Sequence, residues 1–234
     1  KEEKGDHRQF ARNVLQLNNG DDTYSEIGRL AGVAATEWSW GALNFDMNND
    51  GFKDLFVSNG IFKDLLDQDY LLTMNNPEVV RSILSEDDMV FQRLVDTIPS
   101  TPLANYAFIN NGDLNFSNQS KELGLGEPSF ANGAAYGDLD NDGDLDLVVN
   151  TVNSAPRVYR NDLDGQNYLK VALKGVGQNS QAIGAKISLW SAGQTYYQEQ
   201  FPVRGFASTV DDRLNFGLGS VEQIDSLQVV WPDG

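Results

Sequence analysis

Cysteine is absent from the 234 residues. That excludes a disulfide framework, a thiolate metal site and a cysteine nucleophile, although it does not fix the compartment. Histidine occurs once, at His7 in a polar N-terminal stretch. One imidazole cannot build a histidine-based zinc site and gives little support to a Ser-His-Asp arrangement, so His7 reads as an incidental surface residue. Basic residues are few, 17 Lys and Arg against 34 Asp and Glu, for a net charge of −17. Such a chain is a poor partner for nucleic-acid backbones or anionic membranes. No apolar run approaches the roughly 18 residues of a spanning helix. No G-x-S-x-G elbow, P-loop or H-E-x-x-H occurs, and Gly175-Val176-Gly177 lacks a third glycine and is only a turn. The sequence opens at Lys1 with neither an initiator Met nor a signal-type apolar stretch, and it reads as a piece of something longer.

What is present begins with acid. Asp138-Leu139-Asp140-Asn141-Asp142-Gly143-Asp144-Leu145-Asp146 has an echo in Asp46-Met47-Asn48-Asn49-Asp50-Gly51-Phe52-Lys53-Asp54. Both fit D-x-[DN]-x-D-G-x-x-D. Side-chain oxygens at positions 1, 3 and 5 can converge on one hard cation, with Gly at position 6 allowing the sharp turn. The carbonyl of position 7 and a carboxylate at position 9 would complete a calcium-type shell. An EF-hand would need Glu at position 12, where Val57 and Val149 stand. The runs Leu55-Phe56-Val57 and Leu147-Val148-Val149 read as buried strands, so each loop feeds a strand. Asp-rich loops are also ordinary solvated turns. Two copies with Gly at the same place, and five carboxylates within nine residues at 138–146, favour a bound cation that relieves their repulsion.

The two loops belong to a longer duplication. A shift of 92 residues aligns 14–60 with 106–152 without a gap, and 15 of the 47 pairs are identical. Asn18-Asn19-Gly20-Asp21 matches Asn110-Asn111-Gly112-Asp113, a turn chemistry that predicts a hairpin. Each unit therefore reads as strand, turn, strand, loop, strand, cation loop, strand. A third unit starts at Arg157-Val158-Tyr159-Arg160-Asn161-Asp162, with Asn161 lying 51 residues after Asn110. Four short strands in a repeat of roughly 50 residues is the pattern of a β-propeller blade.

A true period near 51 makes the 92-residue spacing conceal an insertion at about 61–105. Asn76-Pro77 predicts a helix running through Leu84. Ser85-Glu86-Asp87-Asp88 predicts a second, with Val90, Phe91, Leu94 and Val95 at i,i+4 spacing. The stripe is read as local packing ahead of a partner-binding lid. After Asn161 the pattern alternates strictly: Leu169, Val171 and Leu173 face one way, and Lys170, Ala172 and Lys174 the other. Ala185, Ile187 and Leu189 repeat it, and 227–231 closes the region. These predict a small, sandwich-like all-β module.

The cation loops and their Asn-Asn-Gly-Asp hairpins resemble FG-GAP/VCBS repeats, the blades of integrin-α-like propellers. The resemblance implies calcium, with two ions expected. It implies side-chain ligands at Asp46, Asn48, Asp50 and Asp54, then at Asp138, Asp140, Asp142 and Asp146, and carbonyls from Phe52 and Asp144. The C-terminal part is similar to an ASPIC/UnbV domain. That rests on Gly184-Ala185-Lys186, Arg204-Gly205-Phe206-Ala207-Ser208-Thr209-Val210-Asp211, Leu214-Asn215-Phe216-Gly217-Leu218-Gly219 and Trp231-Pro232-Asp233-Gly234. The expected fold is mainly β: partial propeller blades at 1–161, with a helical insertion at about 61–105, then a β-module at 162–234. Propellers of this kind carry about seven blades, so remaining blades in a longer parent chain are expected.

The function so implied is a calcium-stabilised extracellular, outer-membrane or cell-surface module that binds a protein or glycan, with the calcium structural. The alternative is a glycan hydrolase or lyase whose active site lies largely in blades beyond this chain; the residues here supply no catalytic set. Four carboxylates against three plus an amide predict tighter calcium at 138–146. Trp38 and Trp40 are read as blade packing ahead of sugar stacking. Arg204 is read as a structural arginine that bonds carbonyls or pairs with Asp211 or Asp212.

Overall fold

The computed structural model describes residues 12–84, 92 and 95–232. His7 and most of the helix expected from Ser85 onward lie outside the described residues. The chain is mainly β, in antiparallel sheets. Strands β1 (Gln16–Asn18) and β2 (Tyr24–Glu26) form a hairpin. Strands β3 (Ser39–Phe45), β4 (Asp54–Asn59), β5 (Tyr106–Asn110) and β6 (Phe116–Asn118) form a four-stranded sheet in that order. Strands β7 (Ala131–Gly137), β8 (Asp146–Thr151) and β9 (Arg157–Tyr159) form a third sheet.

The 92-residue repeat holds in the backbone as well as in the sequence. β3 and β4 superpose in number on β7 and β8, and each pair carries its register shift at the same place, Ser39/Ala42 and Ala131/Ala134. Gly20 and Gly112 take φ of +79° and +83°, as the Asn-Gly turns require. The sheets, however, are out of phase with the sequence repeat. The hairpin of the second unit, β5–β6, completes the sheet begun by the cation-loop strands of the first, β3–β4. The sequence shows which segments recur and leaves open which recurrences pair.

The insertion leaves the sheet between two strands that are neighbours in it: Leu55 faces Phe108 across β4 and β5. Its base is clamped by buried Asn59, whose amide N–H donates to Asn105 Oδ1 at 3.0 Å and whose Nδ2 donates to the Ala104 carbonyl at 3.0 Å. The expected helix is α2 (Pro77–Leu84). A helix the sequence reading missed, α1 (Gln68–Met74), precedes it; Asp67 caps it by accepting the Tyr70 N–H, and no residue of it is buried. Without a buried stripe there is no 3.6-residue apolar period to read.

Side chains from β3, β4, β5, β7 and β8 meet between the two larger sheets in one core, which includes Leu43, Phe45, Phe56, Ala107, Ala134, Leu147 and Val149. The C-terminal strands are β10 (Asn167–Val171), β11 (Lys186–Ser191), β12 (Gln194–Glu199), β13 (Leu214–Gly219) and β14 (Ser226–Val230). They form a β10–β13 pair and a β12–β11–β14 sheet. Ile187 and Leu189 pack against Leu214, Phe216 and Leu218, with Leu169 and Val171 beside them, as the alternation predicts. Among the described residues no helix is long and apolar enough to cross a membrane.

Candidate metal centre

Each cation loop joins an inner strand to its neighbour, β3 to β4 and β7 to β8. Both turn the same way: Asn49 and Asn141 at position 4 take φ of +54° and +64°, and Gly51 and Gly143 take +93° and +102°. Asn tolerates the left-handed region and Gly enters it without steric cost, so this sequence folds each loop back on itself.

In the second loop the carboxylate oxygens of Asp138, Asp140 and Asp146 lie within 4.8 Å of one another. Among the described residues no other group of three His, Cys, Asp or Glu side chains converges this closely. Asp138 is 3% exposed, its Oδ2 accepts the Gly143 N–H at 3.1 Å, and its Oδ1 has no partner. An unpaired, buried carboxylate oxygen is costly, and a hard cation bound by oxygens would satisfy it. This loop fits a calcium-type ion. Asp142, expected among the ligands, is exposed and accepts the Asp144 N–H at 3.0 Å.

The first loop is arranged differently. Asp46 is buried and spends both oxygens on backbone, accepting Asp50 N–H at 3.2 Å and Gly51 N–H at 2.8 Å. Asp50 accepts the Phe52 N–H at 2.8 Å and the Asn48 side-chain amide at 2.9 Å. Burial, only partly offset by the Gly51 amide and Lys53, pushes the Asp46 carboxyl up to about 6. Burial likewise pushes Asp54 up to about 7, against the pull of the Asn110 and Met47 amides. Lys53 shares this environment: burial lowers its ammonium while Asp46 raises it. Burial holds both carboxyls high, and a divalent cation bound between them would favour their charged forms.

The position-9 carboxylates have a second job that spacing alone does not reveal. Asp54 accepts Met47 N–H at 2.7 Å and Asn110 N–H at 2.8 Å. Asp146 accepts Leu139 N–H and Asn161 N–H, each at 2.8 Å. Each therefore ties the start of its own loop to the end of the next strand in its sheet, Asn110 being the last residue of β5 and Asn161 lying two residues past β9. The recurrence of Asn110 as Asn161 was the available signal.

The sequence reading also missed what covers the loops. β13 is buried on both faces. Its apolar residues enter the C-terminal core, while Asn215 and Gly217 lie on the first loop. Asn215 Nδ2 donates to Asn49 Oδ1 and to the Gly143 carbonyl, both at 3.2 Å. Asn49 Nδ2 donates to Asp144 Oδ1 at 2.8 Å, and Asp144 Oδ2 accepts Leu163 N–H at 2.7 Å. Asp144, expected for its carbonyl, thus links both loops with its side chain. Burial raises its carboxyl above the ordinary range, despite the Leu163 amide bond.

Arg213 donates to Asn141 Oδ1 and to the Asp138 carbonyl, both at 3.0 Å, and pairs with Asp211 at 2.6 Å. Burial alone would raise the Asp211 carboxyl, but the bonds from Arg213 outweigh it and hold it below the usual value. Arg204 instead donates to the Glu199 carbonyl at 3.4 Å, the carbonyl-bonding role expected of it. Trp40 lies against Phe206 with ring centroids 4.9 Å apart, and its indole N–H donates to the Gly60 carbonyl.

Two separate segments of the chain match known families. The FG-GAP-like repeat matches residues 87–149, spanning β5 to β8 and the second loop, and ASPIC and UnbV matches residues 175–234. The chain is similar to Cartilage acidic protein 1 of Xenopus tropicalis, with 24% identity over 251 residues and 95% of this chain covered. It spans 38% of the length of that relative.

Proposed function

We propose that this chain is a calcium-stabilised segment of an extracellular β-propeller, with residues 1–161 forming blades and 162–234 the appended module. In this reading it serves protein or glycan binding rather than chemistry. The observation that carries the calcium reading is the convergence of Asp138, Asp140 and Asp146 around a buried Asp138 oxygen with no partner. Calcium bound there adds its binding energy to the folded state, because the unfolded chain has no such site. Asp142 and the Asp144 carbonyl are further candidate ligands. Asp46, Asn48, Asp50, Asp54 and the Phe52 carbonyl would hold the second ion. The extracellular setting is carried over from the repeat type and from a relative named for cartilage. Further blades of a longer parent chain complete the proposal.

Calorimetric titration of the chelator-treated chain should show two binding events, the tighter one abolished by Asp138→Ala. At a hundredfold excess over the dissociation constant, calcium should add about 2.7 kcal/mol. That corresponds to a rise of about 5–11 °C in melting temperature for a chain of this size. Neither heat nor thermal shift in a sample with β-type circular dichroism would sink the calcium reading.

The calcium-induced rise should also depend on pH. Without metal, folded Asp46 and Asp54 keep protons up to about 6 and about 7, whereas their unfolded forms release them near 4. Metal-free stability from these two groups therefore falls as pH rises through that window. Calcium must displace those protons, so its stabilisation should be larger at pH 8 than at pH 5.5. Melting with calcium and with chelator at both values tests this.

A further inference from the structure

The second loop meets a positive group delivered from elsewhere in the chain. Lys170 on β10 pairs its Nζ with Asp138 Oδ2, with the two side chains 17% and 1% exposed. Tyr168, two residues earlier on the same face of the strand, brings its ring against Gly143, where a side chain would have no room. Together they set β10 over the loop. The other described cations acting there are already committed, Arg213 to Asp211, Asn141 and a backbone carbonyl, and Arg160, which also acts on Asp140 and Asp142, to Asp162. Among the described residues Lys170 is therefore the cation whose side chain pairs directly with a carboxylate of the Asp138, Asp140 and Asp146 cluster. Among the described residues no Lys or Arg from elsewhere in the chain pairs with a carboxylate of the first loop; its neighbouring ammonium, Lys53, belongs to the loop itself.

An ammonium and a divalent cation drawn to the same carboxylate repel each other at close range, and burial strengthens that repulsion. We propose that Lys170 is the resident counter-ion of the second loop, which holds Asp138 in the metal-free chain and yields to calcium. This rests on the calcium reading above. Displaced Lys170 has a second acceptor within electrostatic reach, because Asp211 already acts on it. The exchange makes calcium affinity at this loop a property of β10 as well as of the nine loop residues. A ligand count taken from the motif alone would place that affinity too high.

The test uses the full chain with Lys170→Met, which keeps length and removes charge, Lys170→Gln, which keeps a polar end, and Lys170→Arg, which keeps charge. Calorimetry with calcium should show the 138–146 site tightened about tenfold in the Met and Gln variants and unchanged in the Arg variant. Melting in chelator should fall for Met and Gln, because the cluster loses its counter-charge. In saturating calcium that deficit should close. Equal deficits in chelator and calcium, with unchanged affinity, would show a permanent structural pair and overturn the exchange. Absence of calcium binding in every variant, wild type included, would instead remove the calcium reading itself and the exchange with it.

Discussion

Gly217→Ala should lower the melting temperature by about 6–12 °C, an outsized effect for one methyl group. The new Cβ would fall against Asp46 Oδ2 and against the Asn49 Cα and carbonyl carbon. None of these can yield easily. Asp46 Oδ2 holds the Gly51 N–H, and the Asn49 carbonyl accepts the Gly219 N–H at 2.8 Å. The Asn49 side chain is fixed between Asp144 and Asn215. Overpacking a site of this kind costs about 3 kcal/mol, and each kcal/mol moves a domain of this size by about 2–4 °C. Gly165→Ala is the control: nothing lies within 4 Å of its Cβ, and φ is +80°. It should lose only the left-handed penalty, about 1 kcal/mol. Equal melting of Gly217→Ala and wild type would contradict the seating of β13 on the first loop.

Asp146→Ala and Asp142→Ala should differ in kind. Asp146 accepts two backbone N–H groups, and orphaning them costs about 3 kcal/mol in total whatever the metal content. Its substitution should depress melting in chelator and remove the calcium increment as well. Asp142 is exposed and accepts the N–H of Asp144. Its loss should cost less than about 1 kcal/mol in chelator, with the calcium increment lost in addition. Melting curves of both variants with chelator and with calcium separate a carboxylate that builds the sheet from one that serves only the ion. A calcium increment that survives Asp142→Ala would remove that residue from the ligand set.

Much of the blade region was legible because its signals are local and occur twice. The Asn-Gly turns, the acidic loops and the Val-rich strands after them each state their own conformation. The Asn76-Pro77 cap marked α2 for the same reason. What escaped is tertiary. In Leu214-Asn215-Phe216-Gly217-Leu218, alternation sends Asn215 and Gly217 away from the C-terminal core, and a lone sequence reads that face as solvent. It is covered because a loop some 170 residues earlier lies on it. Asn49 and Asp144 occupy motif positions whose side chains a cation does not need, so the motif was silent about their bond to each other. Lys170 faces away from Leu169 and Val171 by the same alternation, and nothing local in the sequence states what it meets there.

The half-step between sequence unit and sheet bears on how such a chain can be cut or enlarged. Residues 14–60 recur at 106–152, and that second copy supplies the closing hairpin of one sheet, β5–β6, and the opening hairpin of the next, β7–β8, like bricks laid in staggered courses. Excising a unit at its sequence borders would leave an unfinished sheet on either side of the cut, and inserting an extra copy would stitch two neighbouring sheets together. A segment that starts at β3 and runs through β6 carries a whole sheet, insertion included. The peptide bond thus crosses from sheet to sheet in the middle of every repeat, and successive blades are covalently riveted where a unit-by-unit reading would place a seam.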